Sequence, residues 1–362
     1  MNLTSTEPTL PIRPELRGRT PYGAPQLEVA VQLNTNENPH PPSPALVAAV
    51  TRACHDTATG LNRYPDREAT VLRAALAGYL TESTGTVLAE DRLWAANGSN
   101  EILQQLMQAF AGPGRTVLGF EPTYSMHRTI TEATGGTYVS VPRRPDFTID
   151  TAEAVAAVRR LRPDVVFLCN PNSPSGTSSD HELITSLYEA ATGLVVIDEA
   201  YAEFSGRPSA TTLLDGRPRL VVSRTMSKAF AFAGARIGYL AADRALVDAL
   251  RLVRLPYHLS SLTQAVAVTV LDHRADVLST LPEVTAQRDR MLRELPALGH
   301  QVLPSDANFV LFETREDAAT TWRRLLDHQV LVRDVGFGHR LRVTAGTRAE
   351  TTAFLDAIQA LG

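Results

Sequence analysis

Leu220-Val221-Val222-Ser223-Arg224-Thr225-Met226-Ser227-Lys228-Ala229-Phe230, continued by Ala233-Gly234-Ala235-Arg236-Ile237-Gly238, sets one lysine among hydroxyl side chains just past an apolar run. The run reads as a buried strand, and the residues after it as the loop at its carboxyl end. A lysine ammonium is a poor nucleophile. Desolvation and neighbouring cations lower its pKa and free the amine to form an imine with an aldehyde. Ser227 and Arg236 add donors suited to a phosphate, the arginine as a fork. A solvated surface lysine is the ordinary reading of Lys228 alone; its neighbours favour chemistry.

Other apolar runs end in the same manner. Gly193-Leu194-Val195-Val196-Ile197 leads into Asp198-Glu199-Ala200-Tyr201. Asp164-Val165-Val166-Phe167-Leu168-Cys169 leads into the turn-rich Asn170-Pro171-Asn172-Ser173-Pro174-Ser175-Gly176. Further runs over 116–120, 138–141 and 237–241 alternate with helical patterns. That alternation predicts an α/β fold, a mostly parallel sheet with helices on both faces. Ligands of such sheets sit at the carboxyl ends of the strands, so one site can collect Asn170, Asp198 and Lys228. Asn97-Gly98-Ser99-Asn100-Glu101 opens a segment with Ile102, Leu103, Leu106, Met107 and Phe110 at helical spacing. The free N–H groups of such a helix start attract anions. After Leu255-Pro256-Tyr257-His258 the pattern turns to long helical stretches broken at Pro282 and Pro296, then to a short α/β tail over 301–362.

With 362 residues, 44% of them hydrophobic, the chain can bury a large core. A net charge of −4 and a pI near 6.2 give no support for nucleic acid or an anionic membrane as partner. Cys54 and Cys169 make no disulfide framework, which suits a reducing, cytoplasmic setting. Residues 1–20 lack a cationic segment followed by an apolar one, so no signal peptide is expected, and no apolar run is long enough to span a bilayer. The nine histidines show no metal-ligand spacing, so no metal is assigned.

On these segments the chain resembles the fold-type I pyridoxal-phosphate aminotransferases, and most of all their histidinol-phosphate branch. The likeness extends to Leu16-Arg17-Gly18-Arg19-Thr20-Pro21-Tyr22-Gly23, Leu33-Asn34-Thr35-Asn36-Glu37-Asn38-Pro39, Arg63-Tyr64-Pro65-Asp66, Leu331-Val332-Arg333-Asp334 and Leu341-Arg342-Val343-Thr344-Ala345-Gly346. It implies an aspartate-aminotransferase-like fold: an N-terminal arm (1–44) packed with a small α/β C-terminal domain (256–362), and a large cofactor-binding domain (45–255). It implies pyridoxal 5′-phosphate bound as an imine on Lys228, with Asp198 on the ring nitrogen and Tyr201 on the ring's 3-oxygen. Tyr124 would stack on the ring. Ser99, Asn100, Ser227 and Arg236 would hold the phosphate, joined by Tyr64 from the second subunit of a homodimer with shared sites. Tyr22, Asn38, Tyr64, Arg333 and Arg342 would meet the substrates, with Arg342 taking either a carboxylate or a phosphate ester.

One departure stands out. The usual family pattern is Asn-Pro-x-Asn-Pro-Thr-Gly, and here Ser173 takes the second Asn position while Ser175 replaces Thr. The Ser173 hydroxyl, Asn172 or a water would then meet the 3-oxygen; the resemblance also makes Ser173–Pro174 a candidate cis bond. The expected reaction joins L-histidinol phosphate and 2-oxoglutarate to give imidazole-acetol phosphate and glutamate. Competing readings are an aminotransferase for aromatic or other amino acids and a threonine-phosphate decarboxylase. A cofactor-sensing regulator would need a preceding DNA-binding module, and the pattern already begins by about Leu16.

Overall fold

Val165–Cys169, Leu194–Asp198 and Leu220–Thr225 are buried at every position, as expected of strands covered on both faces. They lie side by side in a seven-stranded sheet. Its spatial order is Leu93–Ala96, Gly238–Ala241, Leu220–Thr225, Leu194–Asp198, Val165–Cys169, Thr116–Glu121, Thr137–Pro142. The last five strands in that order run parallel; Gly238–Ala241 is antiparallel to both its neighbours. Alternate side chains feed two cores. Val166, Leu168, Val195, Ile197 and Val222 face one cluster, and Val165, Phe167, Val196 and Val221 the other. The computed structural model describes residues 10–18 and 20–362, so Arg19 of the quoted arm motif and the first nine residues of the arm lie outside the described residues.

The carboxy-terminal part carries a three-stranded antiparallel sheet, Arg333–Asp334, Arg340–Thr344 and Phe309–Glu313. Helices Leu281–Ala297, Ala318–Asp327 and Arg348–Leu361 accompany it. The arm joins this part: Val31–Gln32 pairs in parallel with Val330–Leu331.

Three details differ from the sequence reading. The strand opened by the apolar Leu220-Val221-Val222 runs past that apolar stretch to Thr225, because Arg224 and Thr225 pair with Tyr239 and Gly238. The strand after it starts at Gly238 and turns back, a pairing that its apolar pattern could not reveal. Pro282 sits inside the first turn of its helix and Pro296 in the last. At the first turn the missing N–H costs nothing, so Pro282 opens a helix instead of breaking one. The Ser173–Pro174 bond is cis, as are Glu121–Pro122 and Asn170–Pro171.

Candidate active site

The strand ends Cys169, Asp198 and Thr225 open into one cavity of about 400 Å3, shared with Lys228, Ser227 and Arg236. Lys228 Nζ donates to the Thr35 carbonyl at 2.8 Å. Burial first, then the Arg342 guanidinium, push its ammonium down to about 8; Arg236 adds to this and Glu37 opposes it. An amine so placed is a usable nucleophile near neutral pH.

Asp198 is buried at the end of its strand. Its Oδ2 lies 3.0 Å from His127 Nε2, and its Oδ1 has no partner among the described residues. A buried carboxylate oxygen without a partner is costly, and a protonated aromatic nitrogen would satisfy it. His127 is held flat against Phe167, centroids 4.4 Å apart, and edge-on to Tyr124.

An anion cradle lies beside them. Helix Ser99–Phe110 begins at Gly98 with no side chain capping its first N–H groups, the arrangement that favours anions. Arg236 Nη1 reaches the Ser227 hydroxyl at 3.4 Å. Gly98 has φ +83, and a Cβ there would stand 2.6 Å from Arg236 Nη2. A Cβ on Gly238 would collide with the backbone of Gly98 and Ser99. The cradle is therefore built from backbone that only glycine permits. With the amine and the unpaired Asp198 oxygen, these residues fit a flat aldehyde bearing a ring nitrogen and a phosphate.

Tyr124 donates its hydroxyl to Asn100 Oδ1 at 3.1 Å. The Tyr201 hydroxyl accepts from Asn36 Nδ2 at 3.0 Å, and burial pushes its phenol up to about 12. Arg342 and Arg333 are direct cross-strand partners, which sets both guanidinium groups on the same face. Arg342 donates to the Asn34 carbonyl (2.9 Å) and the Ser173 hydroxyl (3.2 Å), while its buried Nε has no partner among the described residues. Arg333 donates to the Gly23 carbonyl and lies over the Tyr22 ring, which is half-exposed on the cavity wall.

Three expected residues stay off that wall. Asn172 spends its amide on Pro122, Ser175 and Thr123, so of the three alternatives Ser173 is the side chain that lines the cavity. Asn38 donates to the Ala229 carbonyl and the Thr280 hydroxyl, and so braces the segment just after Lys228 from outside. Tyr64 is 79% exposed and stacks on Tyr257 with centroids 4.4 Å apart. His127, Asn36 and Glu37 were not singled out from the sequence. Asn36 adopts φ 57, a conformation Asn tolerates better than most residues, but no sequence signal marked His127.

Fold and site together define a class: the chain belongs to the aminotransferase class I and II family, whose model matches residues 28–358. It is 59% identical over 355 residues to the histidinol-phosphate aminotransferase of Frankia casuarinae, covering 96% of this chain and 89% of that protein. It is 56% identical to the enzyme of the same name from Mycolicibacterium smegmatis, covering 96% and 92%. Among solved structures it is similar to the Sinorhizobium meliloti histidinol-phosphate aminotransferase in complex with pyridoxal-5′-phosphate. The TM-score is 0.86 at 26% identity, covering 99% of this chain and 100% of that one.

Proposed function

We propose that the protein transfers the amino group of L-histidinol phosphate to 2-oxoglutarate, giving imidazole-acetol phosphate and L-glutamate in histidine biosynthesis, with pyridoxal 5′-phosphate as cofactor. The observation that carries this reading is the cavity itself: Lys228, the unpartnered Asp198 oxygen and the Arg236 cradle lie on the same wall as Arg342 and Arg333. The shared name of the relatives at 55–59% identity supplies the donor.

When bound, the cofactor supplies an electron-poor ring that acidifies the hydrogen on the donor's amine-bearing carbon. Lys228 would hold the cofactor through its amine and would carry that proton on Nζ. Asp198, with its unpartnered Oδ1, would keep the ring nitrogen protonated, and the His127 contact at Oδ2 holds the carboxylate. Tyr201 would donate to the ring's 3-oxygen, with the Ser173 hydroxyl available in place of the usual Asn. Tyr124 would stack on the ring. The Ser99 and Asn100 N–H groups, Ser227 and Arg236 would hold the phosphate. Arg342, with Arg333 beside it, binds the glutamate carboxylate in one half-reaction and the phosphate ester in the other, since both accept a forked guanidinium. Asn38 acts by bracing the Lys228 segment.

The reading includes an arm (1–44), a large domain (45–255) and a small domain (256–362), in a cytoplasmic homodimer. Dimerisation is supported by exposed apolar side chains: Leu252 is 86% and Leu255 72% exposed, shortly before Tyr257 in the chain, and Tyr257 stacks on the exposed Tyr64. Tyr64 of a second copy would complete the phosphate cradle. The cytoplasmic setting is supported by two free cysteines; no helix among the described residues is long and apolar enough to cross a membrane.

A half-reaction screen tests the substrate. Purified protein is mixed with single amino donors and the loss of the resting cofactor absorbance is followed. Histidinol phosphate should exceed histidine, phenylalanine and tyrosine in kcat/KM. An efficient amino-acid donor with no response to histidinol phosphate would refute the assignment and leave the cofactor chemistry standing. Release of carbon dioxide from phosphothreonine would point to a decarboxylase.

A further inference from the structure

Among the described residues, six charged side chains line the cavity: Lys228, Arg236, Arg333, Arg342, Asp198 and Glu37. Five have a task in the proposed reaction, and Glu37 has none. Glu37 is exposed at the cavity rim, and its carboxylate is anchored there. Oε2 accepts from the Thr35 hydroxyl at 2.8 Å, and the Thr35 carbonyl receives Lys228 Nζ. The carboxylate is thus tied to the same turn of chain that meets the reactive amine, close enough for Lys228 to feel its charge. The other polar side chains of this wall segment are already engaged: Asn34 donates to the Pro25 carbonyl, and Asn36 to the Tyr201 hydroxyl.

The proposed donor carries a phosphate at one end and an imidazole at the other. Arg342 and Arg333 suit the phosphate. An imidazole always presents at least one N–H, and an acceptor-only carboxylate at the rim suits that ring in either protonation state. A phenyl side chain has no such donor.

We propose that Glu37 accepts the imidazole N–H of the donor and so sets the preference for an imidazole-bearing donor over phenyl-bearing ones. This rests on the histidinol-phosphate reading above. Glu37 would be a specificity residue, whereas the cofactor's attachment and the proton transfer are assigned to other groups.

The test compares wild type, Glu37→Gln and Glu37→Ala holoenzymes, each assayed with histidinol phosphate, glutamate and phenylalanine. The readout is the ratio of kcat/KM for histidinol phosphate to that for each other donor. A ratio cancels any effect that Glu37 exerts through Lys228, which serves every donor alike. Loss of a hydrogen bond to a charged acceptor should lower the ratio by about tenfold or more in Glu37→Ala. Glu37→Gln keeps a neutral acceptor and should fall between wild type and Ala. Histidinol, which has the ring and amine but no phosphate, gives an independent reading: its inhibition constant should rise in Glu37→Ala. Ratios within about twofold of wild type in both variants would overturn the proposal. A wild-type enzyme indifferent to histidinol phosphate would instead overturn the substrate reading beneath it.

Discussion

Lys228 is a residue whose chemistry depends on where the chain puts it. Its ammonium is held near 8 against an ordinary 10.5, chiefly by burial and then by Arg342. The folded protein therefore binds this proton less tightly than the unfolded chain. As pH falls from about 10.5 through 8, the group charges at a cost, and stability is lost across that window. The amine's availability likewise rises with pH, levelling above about 8. Capture of pyridoxal phosphate by apoprotein, followed by stopped-flow absorbance, should show that midpoint. Arg342→Ala removes one of the charges responsible, so its midpoint should move up toward the ordinary lysine value. An unchanged midpoint would show that the Arg342 charge does not set the lysine.

Between elements, the decisive contact is the one between the Gly238–Ala241 strand and the start of helix Ser99–Phe110. Backbone there meets backbone, with no room for a Cβ on Gly238. Gly238→Ala must push the strand from the Gly98–Ser99 N–H groups and widen the phosphate cradle. Overpacking of this kind costs about 1–3 kcal/mol of stability. Cofactor affinity, measured by fluorescence titration, should fall together with Tm. Gly78→Ala is the control: it lies in helix Thr70–Thr84 with open space around it, where Ala favours the helix by about 0.5–1 kcal/mol. A Gly238→Ala protein that binds cofactor as wild type would mean that the helix start is not the cradle. The same part of the fold carries a buried ionic tie: Arg224 bridges Glu199 and Glu203, and Tyr79 donates to Glu203. It pins the Leu220–Thr225 strand to the chain segment just past Asp198.

For the whole molecule, the proposed homodimer would put the exposed Tyr64 of one copy at the site of the other. Mixing subunits tests this without a structure of the dimer. Lys228→Ala and Tyr64→Ala homodimers should each be impaired. Unfolded, mixed in equal amounts and refolded together, they should yield hybrids with one doubly damaged site and one intact site. Random pairing then restores about a quarter of wild-type site activity. No recovery, with hybrids demonstrated by native mass spectrometry, would place both residues in the same site of one chain.

The parallel sheet, the lysine loop, the helix start at Ser99 and the acidic strand end at Asp198 were legible from the chain alone. Each is written in local pattern: an apolar run marks a buried strand, helical spacing marks a helix, and strand ends in such sheets face ligands. Arg342 and Arg333 were legible only as a resemblance, and their cross-strand register set them on one face. What the tertiary structure alone decided are contacts between residues far apart in sequence. His127 meets Asp198 from 71 positions away, and the Thr35 carbonyl meets Lys228 from 193. It also separated neighbours: Ser173 lines the cavity while Asn172 is spent on Ser175 and on Pro122 and Thr123. Local sequence encodes backbone preference and which face is apolar, whereas the partner of a buried polar atom is chosen by how the elements pack, and no residue pattern at either end records it.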